Sequence, residues 1–237
     1  MVSAHYSSIL ARSQTALDDL ANDVERLTTF TVAHTDIADI DLLDKLVAGK
    51  TEASMFRLAR VEYQHALYSA SIAQYRQAHI SLRLFFELSL CSVLFSAHEI
   101  DMRLWLQDKK DSIWGVTICP DNGVFSKHFV GAFFEGLKEY CDQYQTLATK
   151  LYRECSEFVH GNRNSYEGLD TQITYNAKIL EAWLDRADTA RRIVKFAFLC
   201  RYINDATDEV RDEIEALAIE EFGDFVPIQA IFEKEPQ

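Results

Sequence analysis

The sequence predicts an all-α protein, a bundle of roughly five to seven helices with one irregular insertion near residues 111–125. Three observations predict it. Turn residues are scarce, with 8 Gly and 3 Pro in 237 residues, and Gly49 is the only glycine before Gly115. Long Ala/Leu/Glu/Arg-rich stretches favour helix at nearly every position. Hydrophobic residues make up 48%, enough to bury a core in a chain of this length.

Residues 3–30 carry Ile9, Leu10, Leu17, Leu20, Val24 and Leu27 at helical spacing, which reads as one amphipathic helix. Asp36 has the chemistry to cap a short second helix ending at Gly49. Phe56, Leu58, Tyr63 and Leu67 mark a third helix over 52–70. The run "HISLRLFFELSLCSVLFS" within residues 75–98 is apolar nearly all round, the pattern of a central helix buried on several sides. "DSIWGVTICPDNGVF" at 111–125 brings Gly, Pro and Asp-Asn-Gly together and reads as a loop with a short β excursion. Helical spacing resumes from Ser126 to Val159, with a bend near Gly131 or Gly136, and Gly161 is placed to end that helix. A polar loop leads to a long helix over 176–206, and an acidic helix follows from Asp208 to about Gly223. The expected organisation is an N-terminal helical extension over 1–50, a bundle over 51–206, and an acidic helix and tail over 207–237.

The formal net charge of −13 speaks against a uniformly basic nucleic-acid binder. Its distribution is uneven: residues 202–237 hold 2 basic and 11 acidic side chains, whereas residues 150–201 hold 9 basic and 7 acidic. The five cysteines show neither a CxxC pair nor metal-ligand spacing, so reduced thiols in a cytoplasmic protein are expected. His5, His34, His65, His79, His98 and His128 have no ligand spacing either, so neither a metal nor another cofactor is expected. A Gly-rich phosphate loop, a leader and an uncharged 18-residue run are missing, which argues against NTP hydrolysis, secretion and membrane association.

Two clusters carry candidate chemistry. Arg83 and Glu87 stand four residues apart on the most apolar helix, where an ion pair is expected to be buried or to face a polar cleft. In "LYRECSEFVHGN", Arg153 and His160 are seven residues apart and therefore share a helix face, with Glu157 between them. His160 falls at a helix C-terminus, where the dipole favours an imidazolium. Asn162, Arg163 and Asn164 follow, with donors and acceptors that fix an imidazole tautomer or hold an anion. The basic cluster "RRIVKFAFLCRY" (Arg191, Arg192, Lys195, Arg201) reads either as one polar stripe of a packed helix or as further phosphate contacts.

"YRECSEFVHGN" resembles the Arg-x(4–6)-His motif of the HEPN domain family (higher eukaryotes and prokaryotes nucleotide-binding), and "SLRLFFELSL" resembles the Arg…Glu signature on an earlier HEPN core helix. The resemblance spans approximately residues 60–205. It implies a HEPN-like helical bundle and a metal-independent endoribonuclease of a toxin–antitoxin or anti-phage defence system. In that reading Arg153 and His160 are catalytic, and Asn162, Arg163, Asn164, Glu157, Arg83 and Glu87 support or bind RNA. The implied partners are RNA, a second copy of the chain, and an antitoxin or defence-system protein. Glu154 departs from the Asn, Asp or His that many such motifs carry after the arginine. The alternative is a non-catalytic HEPN-like module binding a partner protein or nucleic acid.

Overall fold

The computed structural model describes residues 2–160 and 172–233 and contains eleven α-helices, with no strand among the described residues. They are α1 (Val2–Asn22), α2 (Val24–Leu46), α3 (Ala53–Ser71), α4 (Tyr75–Phe95), α5 (Glu99–Trp105) and α6 (Trp114–Thr117). Then come α7 (Lys127–Phe133), α8 (Cys141–His160), α9 (Ala177–Tyr202), α10 (Asp208–Phe222) and α11 (Val226–Phe232).

Helix α4 is the axis of the bundle. Nearly every residue from Phe85 to Phe95 is buried, and α3, α8 and α9 pack around it. It is the one described helix whose length and composition would suffice to cross a membrane, and here its apolar surface is covered by its neighbours. On α9, the residues from Ile193 to Cys200 are buried in the same core, so two helices without an open apolar face lie side by side. Tyr144 of α8 stacks on Phe196 of α9 with ring centroids 3.7 Å apart, and Phe222 of α10 closes over both. This aromatic layer anchors one end of α8.

Several boundaries differ from the sequence reading, each for a local reason. Residues 3–30 are two helices. Asp23 caps the second by accepting from the Arg26 amide at 3.2 Å, and its other oxygen accepts from the Tyr175 hydroxyl at 2.8 Å. Asp36 is no cap; it lies in mid-α2, buried, bonded to Arg191 Nη1 at 2.7 Å. Residues 126–159 are three pieces: α7, a 3₁₀ turn over Glu135–Tyr140, and α8. The break falls at Phe134 (φ −150°, ψ 86°), between the two glycines rather than at either. The expected β excursion in the insertion is the single turn α6 followed by tight turns. There a Cβ on Gly123 would lie 2.5 Å from the Cys119 backbone nitrogen. The chain also continues past Gly223 into α11, which carries a Pro in its first turn.

Candidate functional site

Cys141, Tyr144, Ala148, Leu151 and Cys155 form the buried face of α8. At 100° per residue, Arg153 and His160 lie on the opposite side of that helix, about 10 Å apart along its axis. Both are exposed, and neither makes a hydrogen bond or ion pair to another described residue. Glu157 is half-buried and already engaged. Asn162, Arg163, Asn164 and Gly161, the residue expected to end the helix, lie outside the described residues.

Behind this outward face, α4 and α9 clamp the last turns of α8. Arg76 Nε donates to the Phe158 carbonyl at 3.1 Å, satisfying an end-of-helix acceptor. Glu154 turns away from Arg153 and accepts from Arg186 Nε at 3.0 Å. The Arg186 Nη1 lies 3.5 Å from His79 Nε2. His79 is buried, donates through Nδ1 to the Tyr75 carbonyl at 2.8 Å, and stacks on Phe158 at 3.8 Å. Because Nδ1 carries the proton, Nε2 is left as the acceptor facing Arg186.

Burial, reinforced by the Arg186 charge, lowers the His79 pKa from 6.5 to about 4. Between those values the unfolded chain binds a proton that the folded chain excludes, so this contribution to stability is lost as pH falls. The loss reaches roughly 3 kcal/mol by pH 4. The stability advantage of wild type over His79→Gln, measured by urea unfolding, therefore shrinks between pH 7 and pH 4.5. A difference that stays constant over that range contradicts the assignment.

Arg83 and Glu87 form the expected pair, with Nη2 3.3 Å from Oε2 and side chains 22% and 11% exposed. The structure joins them to Tyr152 and the insertion, not to Arg153 or His160. Arg83 Nη2 donates to the Tyr152 hydroxyl, and the guanidinium lies 4.6 Å from the Tyr152 ring centroid. The same ring stacks on Trp114 at 3.9 Å, while Ser112 donates to Glu87 Oε1 at 3.4 Å. The pair thus latches the insertion onto α4 and α8. Glu87→Gln or Arg83→Met leaves one charge half-buried and costs about 3 kcal/mol, read as a lowered melting temperature. Wild-type melting of both variants contradicts this.

Of the basic cluster on α9, Arg192 is exposed and the other three residues are engaged within the fold. Arg191 and Lys195 pair with Asp36 and Glu221, while Arg201 Nε donates to Ser96 and the guanidinium stacks 4.0 Å from the Phe133 centroid. Among the described residues no group of three His, Cys, Asp or Glu is placed to hold a metal ion. Burial pushes the Cys155 thiol up to about 12, so the cysteine nearest the motif is no nucleophile at neutral pH.

Sequence reasoning passed over His79, although His79, Arg83 and Glu87 recur every four residues as a polar stripe on the most apolar helix. Arg186 carried no such signal, since its partner Glu154 lies on another helix. Comparisons with protein families, with curated proteins and with solved structures return no match.

Proposed function

We propose that the chain is a metal-independent endoribonuclease acting through Arg153 and His160, an effector of the toxin–antitoxin or phage-defence kind. The observation that carries this reading is the pairing of an exposed guanidinium and an exposed imidazole on one face of α8, neither engaged by another described residue. Glu154, the residue that departs from the resembling motif, is drawn off by Arg186 at 3.0 Å, which moves its charge away from a phosphate held at Arg153.

His160 takes the proton of an RNA 2′-OH, and the 2′-oxygen attacks the adjacent phosphorus. Arg153 bonds the non-bridging oxygens as charge develops on them. The P–O5′ bond breaks and the leaving oxygen takes a proton, giving a 2′,3′-cyclic phosphate and a 5′-hydroxyl. One chain supplies one imidazole, whereas deprotonation and leaving-group protonation call for two acid–base groups. A homodimer that apposes two α8 faces about a two-fold axis supplies both.

The purified chain, incubated with RNA in EDTA, releases fragments ending in 2′,3′-cyclic phosphate. Intact RNA under these conditions, with the chain folded and dimeric, rejects the reading. In that case a non-catalytic module that docks a partner on the same face becomes the better account, since no described residue fixes the His160 ring.

A further inference from the structure

A cavity of about 310 Å³ lies far along the chain from the Arg153/His160 motif, between the α2–α3 turn, the end of α4, α5 and the end of α9. Its walls include Lys50, Thr51, Glu52, Ser96, Glu99 and Arg201. The volume falls at the small end of ligand pockets, roughly 300–1,000 Å³.

Two of its four charged groups are matched within the fold. Glu99 pairs with Arg103 at 2.5 Å, and Arg201 pairs with Asp205 at 3.1 Å while its Nε donates to Ser96 at 2.7 Å. Glu52 and Lys50 are different: neither has an ion-pair partner among the described residues.

Glu52 is only 6% exposed, and a buried carboxylate without a cation is costly. It stands at the N-terminus of α3, yet its carboxylate makes no bond to that helix's amides. Oε1 accepts from the Tyr202 hydroxyl at 3.0 Å, and Oε2 accepts from no described residue. Burial and the Glu52 charge keep the Tyr202 phenol protonated, which holds the carboxylate in one orientation. Lys50 is exposed at the rim, its ammonium 5.9 Å from the Tyr202 ring centroid. Gly49, with φ +76°, makes the turn that carries Lys50 to this position.

From one unmatched charge of each sign in one small cavity, we infer that this is a binding site for a small zwitterion, a free α-amino acid. The ligand's ammonium donates to Glu52 Oε2, and its carboxylate meets Lys50. An anion alone would face the Glu52 charge, and an amine alone would gain nothing from Lys50. The GKT tripeptide at 49–51 is therefore read with the glutamate that follows it, which sets the site against phosphate.

The test is a titration of the full chain with each of the twenty protein amino acids, with acetate and with methylamine, followed by ligand-observed NMR and calorimetry. At least one amino acid binds more tightly than both half-ligands. Lys50→Met, at an exposed position, weakens it about tenfold or more, the scale of one charge-assisted hydrogen bond. Glu52→Gln weakens it at least as much if the variant folds, and Lys50→Met decides the matter if it does not. The inference is overturned if no amino acid binds at about 10 mM, if acetate or methylamine binds as tightly, or if Lys50→Met leaves affinity unchanged.

Discussion

Replacing His160 or Arg153 by alanine lowers RNA cleavage by at least ~10²-fold while leaving the melting temperature at the wild-type value. The lower bound is the loss expected for one positioned acid–base group or one donor to developing charge. The second half of the expectation comes from the fold. Both side chains lie opposite the buried Leu151 and Cys155 and touch none of the groups that clamp the end of α8. Surface truncations of this kind change stability by less than about 0.5 kcal/mol. Loss of activity without loss of stability therefore separates chemistry from architecture. Mixing the two inactive variants extends the test: a cleft shared across a two-fold axis regains part of the activity, because some mixed dimers hold one intact arginine and one intact histidine. Undiminished cleavage by His160→Ala removes this face from the chemistry.

What was legible in the sequence divides along the range of the interaction involved. The central helix was readable as 75–98 against the observed Tyr75–Phe95, and the third as 52–70 against Ala53–Ser71, because an unbroken apolar pattern is local information. The outward placement of Arg153 and His160 follows from the same periodicity. The break at Asp23 was hidden because the apolar spacing runs through it, and the Tyr175 hydroxyl that bonds the cap is 152 residues away. Asp36 shows the converse error. An aspartate near a helix start is chemically a cap, and only the partners Arg191 and Lys195, more than 150 residues on, make it a buried ion. Those same contacts account for two charges of the basic run on α9: Arg191 and Lys195 were counted before their carboxylate partners were visible.

Lys195→Met destabilises the protein by roughly 3–5 kcal/mol at pH 7, the cost of stranding buried charge when one member of a network is removed. Lys195 is 1% exposed, and its ammonium lies 2.5 Å from Asp39, 2.8 Å from Glu221 and 3.4 Å from Asp36. Arg191 bonds Asp36, Glu221 and Asp188, so four carboxylates share two cations. The most buried carboxylate, Asp36, has an oxygen without a partner, and desolvation raises its pKa from 3.8 to about 6. In the window between those values the folded chain binds more protons than the unfolded one, so this group's contribution to stability falls as pH rises. That slope opposes the one from His79 in wild type, and the variants separate them. Without Lys195 the Asp36 carboxyl holds its proton still more firmly, so the deficit of Lys195→Met is smaller at pH 5 than at pH 7. Asp36→Asn added to Lys195→Met recovers part of the loss at pH 7 and little at pH 5. Urea unfolding of wild type, the single and the double variants at both pH values makes the comparison. A Lys195→Met protein within ~1 kcal/mol of wild type at pH 7 would show that the network does not bear on stability, since breaking a buried pair costs several times that.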